Sequence, residues 1–170
     1  MKQALYLHFT AQGYAVLEEF CTSDAGVRLA KGTRNRRIDV LCIRPARRLG
    51  IGPWELLAIE VKVSRGDFRS DIRNPAKQAP WRELAHRHAY AAPDGLIVPD
   101  EVPDGHGLLT VSDGVEGWDK VRWAREVRLE EKAPKLPARF LTTLAFRAAT
   151  AEANARGRNP FTHLWKDSDE

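Results

Sequence analysis

An acidic residue and a lysine lie two positions apart within an apolar segment, which is the pattern of a charged pair on one face of a strand. In residues 56–64, Glu60 and Lys62 flank Val61. Strand side chains alternate between two faces, so the carboxylate and the ammonium leave the sheet together. The apolar neighbours predict a strand in the middle of a sheet, where an uncompensated charge is costly. The pair therefore indicates a chemical role.

Two carboxylates and a backbone carbonyl in these strands could bind a divalent cation. Asp39 lies in an earlier apolar segment, residues 37–43, and it meets Glu60 if the two strands are neighbours. Mg²⁺ prefers oxygen ligands and retains several waters, so Asp39, Glu60 and the Val61 carbonyl make a sufficient site. A divalent cation makes water nucleophilic and stabilises charge on phosphorus, which phosphodiester hydrolysis requires. Lys62 would hold the attacking water and face the phosphate.

A further acid would complete such a site, and the preceding strand offers two. Glu18 and Glu19 are adjacent, so they point to opposite faces and at least one of them is exposed. We favour Glu19 as the third metal ligand, with Glu18 as the alternative. Glu60 and Lys62 alone would also fit a surface ion pair of little energetic value, and it is Asp39 that favours the metal site.

The spacing of these residues resembles that of a known group of nucleases. An Asp in one strand and Glu-Val-Lys in the next is similar to the PD-(D/E)XK nuclease superfamily, which has the restriction-endonuclease-like fold. The segments IEVKVSRGDFRSD and AHRHAYAAPDGLIVPD are most similar to the MmcB-like branch, associated with bacterial DNA repair. The resemblance covers about residues 16–112. The chain departs from it at residues 72–80, which look like an insertion with two prolines, and at Ile38, where the superfamily usually has Pro.

This resemblance implies a Mg²⁺-dependent DNA endonuclease, with Mn²⁺ as a substitute, that acts in DNA repair or recombination. Asp39, Glu60 and Lys62 would be its catalytic residues. The alternative is a nucleic-acid-binding module with the same fold that cleaves nothing, and RNA is not excluded as the partner. A structural or adaptor domain that works through its C-terminal helix is a third interpretation.

A basic helix face beside the site is the candidate nucleic-acid contact. Arg65, Arg69 and Arg73 recur every fourth residue, so they would line one helix face and contact phosphates, although a solvated basic face fits equally. The chain has 27 Lys plus Arg against 23 Asp plus Glu, a net charge of +4, which weakly favours a polyanionic partner. Asp67 and Asp71 are interpreted as acids that cap the helix or stabilise its dipole.

The elements that position these residues predict an α/β fold, with a mixed central sheet flanked by helices in an order resembling α-β-β-β-α-β. Residues 81–90 are the most helix-like part of a proline-interrupted helical region, and His86 and His88 are expected at surface or cap positions. The predicted helices are residues 2–12, pieces of 66–92 and a helix from Pro137, and the predicted strands are 14–21, 37–43, 56–64, 95–99, 107–112 and 118–123.

One domain accommodates these elements at 170 residues. We expect a nuclease-like α/β domain over residues 1–132, a C-terminal amphipathic helix over 133–158 that packs on it, and a tail over 159–170. Apolar residues recur at helical spacing from Phe140 to Ala148. This spacing predicts that the helix covers the sheet, with a homodimer or partner interface as the alternative.

The cysteines and the hydropathy of the chain indicate the cellular compartment. Cys21 and Cys42 lie in strand-like segments, which excludes a disulfide framework and a CxxC metal site. Residues 1–13 interrupt their apolar run at His8 and Gln12, so a first helix is expected there and not a signal peptide. No segment approaches the length of a membrane span, and we expect a reduced, cytoplasmic protein with no membrane partner.

Overall fold

The computed structural model describes residues 1–23, 36–46, 54–113, 120–130 and 136–155. The helices are α1 (Lys2–Ala11), α2 (Arg65–Ile72), α3 (Ala79–Leu84) and α4 (Ala138–Ala155). The strands are β1 (Ala15–Cys21), β2 (Arg37–Pro45), β3 (Trp54–Val61), β4 (Arg87–Pro93), β5 (Gly107–Val111) and β6 (Val121–Arg125). Two short 3₁₀ helices, Pro75–Lys77 and Pro99–Glu101, lie in the connections before and after β4.

The strands form one six-stranded mixed sheet in the order β1-β2-β3-β4-β5-β6. The first three strands form an antiparallel meander, β3, β4 and β5 run parallel, and β6 returns antiparallel to β5. Parallel neighbours need a crossover connection, and the one between β3 and β4 contains α2 and α3. This mixed sheet, with its flanking helices and C-terminal helix, confirms the fold class predicted from the sequence.

Strand register decides which side chains meet at the sheet edge. In the antiparallel pair of β2 and β3, Val40 lies opposite Ile59. Asp39 near the start of β2 therefore lies beside Glu60 near the end of β3. In the parallel pair of β3 and β4, Glu60 lies opposite Tyr90. One edge of the sheet thus collects the start of β2 and the carboxyl ends of β3 and β4.

Apolar side chains cover both faces of the sheet. On one face, α1 packs Leu5 and Phe9 against alternate residues of β2 to β5. On the other face, Trp81 of α3 joins a core over β2 and β3. Phe68 of α2 packs over β4, edge to face with Tyr90 at 5.2 Å between ring centroids. The charged side chains at the end of β3 therefore lie between the sheet and α2.

The C-terminal helix packs on the sheet, as its apolar spacing predicts. Phe140 is buried against Phe20, with ring centroids 5.4 Å apart. Leu141 and Phe146 of the same helix are 43% and 42% exposed, so an interface through this helix stays a prediction. The tail predicted for residues 159–170 lies outside the described residues.

The helix predicted over residues 81–90 is found only over residues 81–84. The helix α3 ends at Leu84, and Arg87–Pro93 form the buried strand β4. Alanine is a strong helix former, but Ala89 and Ala91 are fully buried in the core beneath α1. Pairing with β3 on one side and β5 on the other overrides the local preference.

Residues 95–99 were predicted as a strand, and this prediction is also wrong. Gly95 adopts a φ of +76°, a left-handed conformation that glycine reaches without strain, and a 3₁₀ helix follows the turn. The edge strand predicted over residues 118–123 is found as β6, Val121–Arg125. Trp118 lies outside the described residues.

Neither Cys21, which is partly buried, nor Cys42, which is buried, takes part in a disulfide bond. Within the described ranges, no helix is both long enough and apolar enough to cross a membrane.

Candidate active site

Two carboxylates are held together at the edge of the sheet where β2 begins and β3 ends. Asp39 Oδ2 accepts a hydrogen bond of 2.8 Å from the backbone N–H of Val61. This bond attaches the Asp39 side chain to the strand that carries Glu60. The two carboxylates are close enough that the charge of Asp39 raises the pKa of Glu60. The two strands are neighbours, which was the condition set by the sequence, and their pairing brings Asp39, Glu60 and Val61 together.

Glu60 is largely buried next to a second carboxylate, and both conditions favour its protonated form. Burial, followed by the charge of Asp39, raises the pKa of Glu60 to about 7, while Lys62 opposes the shift. Glu60 Oε2 is buried, and no group among the described residues donates a hydrogen bond to it. Clustered carboxylates with an unsatisfied oxygen fit the oxygen-rich coordination of Mg²⁺ or Mn²⁺. Asp39 and Glu60 are thus suited to hold a divalent cation.

Lys62 is buried among acids. Its Nζ lies 3.6 Å from Glu60, 3.5 Å from Asp67 and 3.4 Å from Asp71, and its side chain is only 5% exposed. Burial lowers the pKa of Lys62, but the carboxylates of Glu60, Asp71 and Asp67 outweigh burial and shift it upward. The backbone N–H of Lys62 donates to the carbonyl of Ala91 at 2.8 Å. The ammonium therefore stays charged in a fixed position.

The acids of α2 contact Lys62, and a serine caps their helix. Ser64 is the N-cap, and its Oγ accepts a 3.1 Å hydrogen bond from the backbone N–H of Asp67. The helix places Asp67 and Asp71 one turn apart, with both carboxylates toward Lys62. Of the two predicted roles, stabilisation of the helix dipole fits Asp67, which lies in the first turn. The prediction that these acids cap the helix is wrong, since the N-cap is Ser64 and Asp71 lies near the other end of α2.

A buried hydrogen-bond chain behind Asp71 was not predicted. Gln78 Nε2 donates to Asp71 Oδ2 at 2.7 Å, and His88 Nε2 lies 3.1 Å from Gln78 Oε1. His88 is 3% exposed, and burial, followed by the charge of His106, lowers its pKa to about 3. The surface or cap position expected for His88 is therefore wrong, because the ring lies in the core. There the neutral imidazole can donate to the amide oxygen of Gln78.

His86 is also buried, in contrast to the expected surface or cap position. Its Nδ1 accepts a 3.1 Å hydrogen bond from the backbone N–H of Leu56.

The sequence signal that could have identified β4 is the alternation of side chains between the two faces of a strand. His88 and Tyr90 lie on one face of β4 with Ala89 between them, which is the strand period of two.

Glu19 lies on the side of the site, whereas Glu18 is exposed. The Glu19 backbone has a φ of +52°, and its carboxylate contacts Lys2 and, at 2.7 Å, Arg37 Nε. Lys2 Nζ is also 3.8 Å from Asp39 Oδ1. Two cationic side chains thus already form ion pairs with the carboxylate that the sequence predicts as a third metal ligand.

In the parts of the chain that the structure describes, no group of three or more His, Cys, Asp or Glu side chains is arranged to hold a metal ion. The candidate cation site therefore consists of two carboxylates, Asp39 and Glu60, beside Val61. Glu19 could join them only if Lys2 moved away.

The three arginines of the predicted basic face separate into two environments. Arg65 donates to the carbonyl of Leu96 at 2.9 Å and pairs with Glu101, so it is committed to the loop after β4. Arg69 is exposed on α2, and Arg73 is exposed at its C-cap. The face available for phosphates consists of Arg69 and Arg73.

Cavities elsewhere on the surface do not involve this chemistry. One of about 520 Å³ lies between α1, β1 and α4, and one of about 470 Å³ lies beside α3. Neither is lined by Asp39, Glu60 or Lys62. The acids and the lysine instead lie at an edge of the sheet, and we regard this edge as the functional site because the unsatisfied charge is there.

The comparison with solved structures supports the fold. This chain is similar to SPO1766, a protein of unknown function from Silicibacter pomeroyi. The two share 26% sequence identity with a TM-score of 0.58, over 91% of this chain and 88% of the other. No family model matches the chain, and no curated protein matches it.

Proposed function

We propose that this protein is a metal-dependent DNA endonuclease of the PD-(D/E)XK superfamily, most similar to the MmcB-like family of DNA repair proteins. The observation that carries the proposal is the state of Glu60. Its carboxylate is buried beside Asp39, has a pKa raised to about 7 and keeps one oxygen without a donor among the described residues. Such a carboxylate is suited to a divalent cation.

The roles of the residues follow from their positions. A bound Mg²⁺ or Mn²⁺ would supply positive charge to the scissile phosphate and favour the hydroxide form of a water. Asp39, fixed by the Val61 N–H, and Glu60 would hold that ion. Lys62 would orient the attacking water through its ammonium and offset charge that develops on the phosphate.

The proposed partner is DNA in a reduced, cytoplasmic setting. Arg69 and Arg73 are exposed on α2 and at its C-cap, and they can pair with backbone phosphates, which carry no sequence information. RNA presents the same phosphates, so RNA must be tested as a substrate together with DNA.

One observation favours a second candidate, a binding module that cleaves nothing. The Lys62 ammonium is 5% exposed and already contacts three carboxylates, as it would in an ion cluster that only stabilises the fold. Such a module would keep Arg69 and Arg73 for phosphate contacts. Metal-dependent turnover separates the two functions.

The test is incubation of the protein with Mg²⁺ or Mn²⁺ and a panel of single-stranded, duplex, flapped and branched DNAs and single-stranded RNA. We expect Lys62→Ala to lower the cleavage rate by roughly a hundredfold to a thousandfold and to change DNA affinity far less, because affinity rests on many phosphate contacts. Lys120→Ala is the control, because it removes the same charge next to β6, three strands away from β3. If no nucleic acid is cleaved but binding depends on salt, the binding module is the better conclusion.

A further inference from the structure

Two carboxylates of α2 contact the same ammonium but differ in their surroundings. Asp67 Oδ2 and Asp71 Oδ2 lie 3.5 Å and 3.4 Å from Lys62 Nζ. The Asp67 side chain is 55% exposed, whereas that of Asp71 is 4% exposed. Water can replace Asp67 at little cost, since exposed ion pairs contribute little. Water cannot reach Asp71 in the same way.

Asp71 is also held from behind. Gln78 Nε2 donates to Asp71 Oδ2 at 2.7 Å, and Lys77 Nζ lies 3.8 Å from Asp71 Oδ1. A carboxylate can only accept, so the amide of Gln78 must turn its NH₂ toward Asp71 and its oxygen toward His88. His88 then donates from Nε2 and fixes the amide orientation. Asp71 is the last member of a hydrogen-bond chain anchored in β4.

The difference between the two acids separates a permanent contact from an exchangeable one. Glu60 must leave the ammonium in part if it binds a cation. Asp67 faces solvent, where an incoming oxyanion could take its place at Lys62. Asp71 alone can keep its contact in every state, because Gln78 holds it independently of Lys62.

We propose that Asp71 is the positioning residue for Lys62, and that Asp67 is the exchangeable partner whose place a substrate phosphate takes. The exchange with phosphate rests on the proposed nuclease function. The anchoring of the ammonium by Asp71 does not.

The chain offers a matched pair of variants to test this difference. Asp71→Asn and Asp67→Asn make the same chemical change, on the same helix, to groups at nearly the same distance from Lys62. The readout is the ¹⁵N signal of the Lys62 ammonium, assigned with Lys62→Arg, together with the rate at which reductive methylation modifies Lys62. We expect Asp67→Asn to keep a sharp signal and slow modification, and Asp71→Asn to broaden the signal and speed modification several-fold.

Gln78→Met covers the case in which Asp71→Asn does not fold. Methionine has a similar volume and cannot donate, so the carboxylate stays while its support is removed. We expect an intermediate effect on the Lys62 signal. A normal signal in Gln78→Met, or equal losses in Asp67→Asn and Asp71→Asn, would overturn the proposal.

Turnover measurements separate this proposal from the proposed function. If wild type cleaves DNA, Asp71→Asn should lower kcat by roughly a hundredfold, as expected for a displaced catalytic group, with KM unchanged. Asp67→Asn should instead lower KM, because it removes the acid that the substrate phosphate has to displace from Lys62. If wild type cleaves nothing, the nuclease function fails and the Lys62 signals alone decide whether Asp71 is the anchor.

Discussion

Asp39 Oδ2 and the backbone N–H of Val61 are joined by a hydrogen bond of 2.8 Å between neighbouring strands. Because Val61 follows Glu60, this bond holds the Asp39 carboxylate next to the Glu60 carboxylate although the two repel. The repulsion is seen in the pKa of Glu60, which burial and then Asp39 raise to about 7. Without a cation, the folded protein therefore carries an electrostatic cost at this edge.

Glu60→Gln should stabilise the protein in the absence of metal at pH 8. The folded-state pKa of Glu60 is raised from 4.5 to about 7, so folding favours the protonated form. Relative to Glu60→Gln, wild type should lose stability as the pH rises from 4.5 to 7 and lose no more above that. Each pKa unit corresponds to about 1.4 kcal/mol, so the gain at pH 8 is a few kcal/mol at most. Thermal unfolding with EDTA at pH 4 and pH 8 measures it.

Glu55→Gln, on the same strand, is the matched control and should destabilise the protein. Glu55 is 3% exposed and pairs with Arg44 at 2.8 Å and Arg87 at 2.9 Å. Burial raises its pKa, but the hydrogen bonds from Arg44 and Tyr14 outweigh burial and lower it, so its stabilisation is present at neutral pH and is lost in acid. Removing one partner of a buried ion pair typically costs about 3–5 kcal/mol. Equal shifts in both variants would contradict the assignment.

Mg²⁺ affinity should increase with pH up to about 7 and then level off. A proton and the cation compete for Glu60, and the proton leaves near pH 7. Isothermal titration calorimetry at pH 6, 7 and 8 tests this, with proton release detected in buffers of different ionisation enthalpy. Asp39→Asn should weaken Mg²⁺ binding and be partly rescued by excess metal. Unchanged affinity in that variant would remove Asp39 from the site.

DNA binding should weaken steeply with added salt, since arginines displace counterions from phosphates. Arg69→Ala should lower affinity for all sequences and reduce the salt slope by about 1. Arg65→Ala is the control, because Arg65 is committed to Leu96 and Glu101. We expect the second variant to keep the wild-type slope in a fluorescence anisotropy titration. A flat salt dependence would count against nucleic acid as the partner.

Phe140→Ala should destabilise the protein by about 3–5 kcal/mol, the usual range for a buried Phe. Phe140 is 1% exposed and packs on Phe20 and Trp81 in the core under α4. Leu141→Ala, next to it but 43% exposed, should have little effect on unfolding. Sedimentation of both variants also tests the homodimer: if Leu141→Ala shifts a dimer to monomer, this helix is an interface.

The sequence predicts the core of the site because strand geometry is periodic. Asp39, Glu60 and Lys62 follow from alternation along two apolar strands and from the pairing of those strands. Glu18 is exposed, and Glu19 as a metal ligand stays a prediction. Its contacts with Lys2 and Arg37 depend on where α1 begins relative to the sheet, and no local pattern encodes that.

The remaining polar partners come from the crossover between β3 and β4, where local patterns are weak. Gln78 is the residue after a 3₁₀ helix, and its direction is set by packing and not by a period. His88 belongs to a segment rich in alanine that resembles a helix in isolation. Recognition of β4 as a strand would have placed His88 and Tyr90 together, but the contact with Asp71 also requires the position of α2.

The strand β3 carries two glutamates, Glu55 and Glu60, whose negative charges are compensated to different extents. Glu55 is enclosed by arginines, whereas Glu60 lacks a full set of partners in the described residues. Amide hydrogen exchange in the metal-free protein should therefore be faster near Glu60 than near Glu55, as local opening relieves repulsion at one end only. A bound cation would slow exchange at that end. Metal binding would then both order this end of β3 and supply the ion that hydrolysis requires.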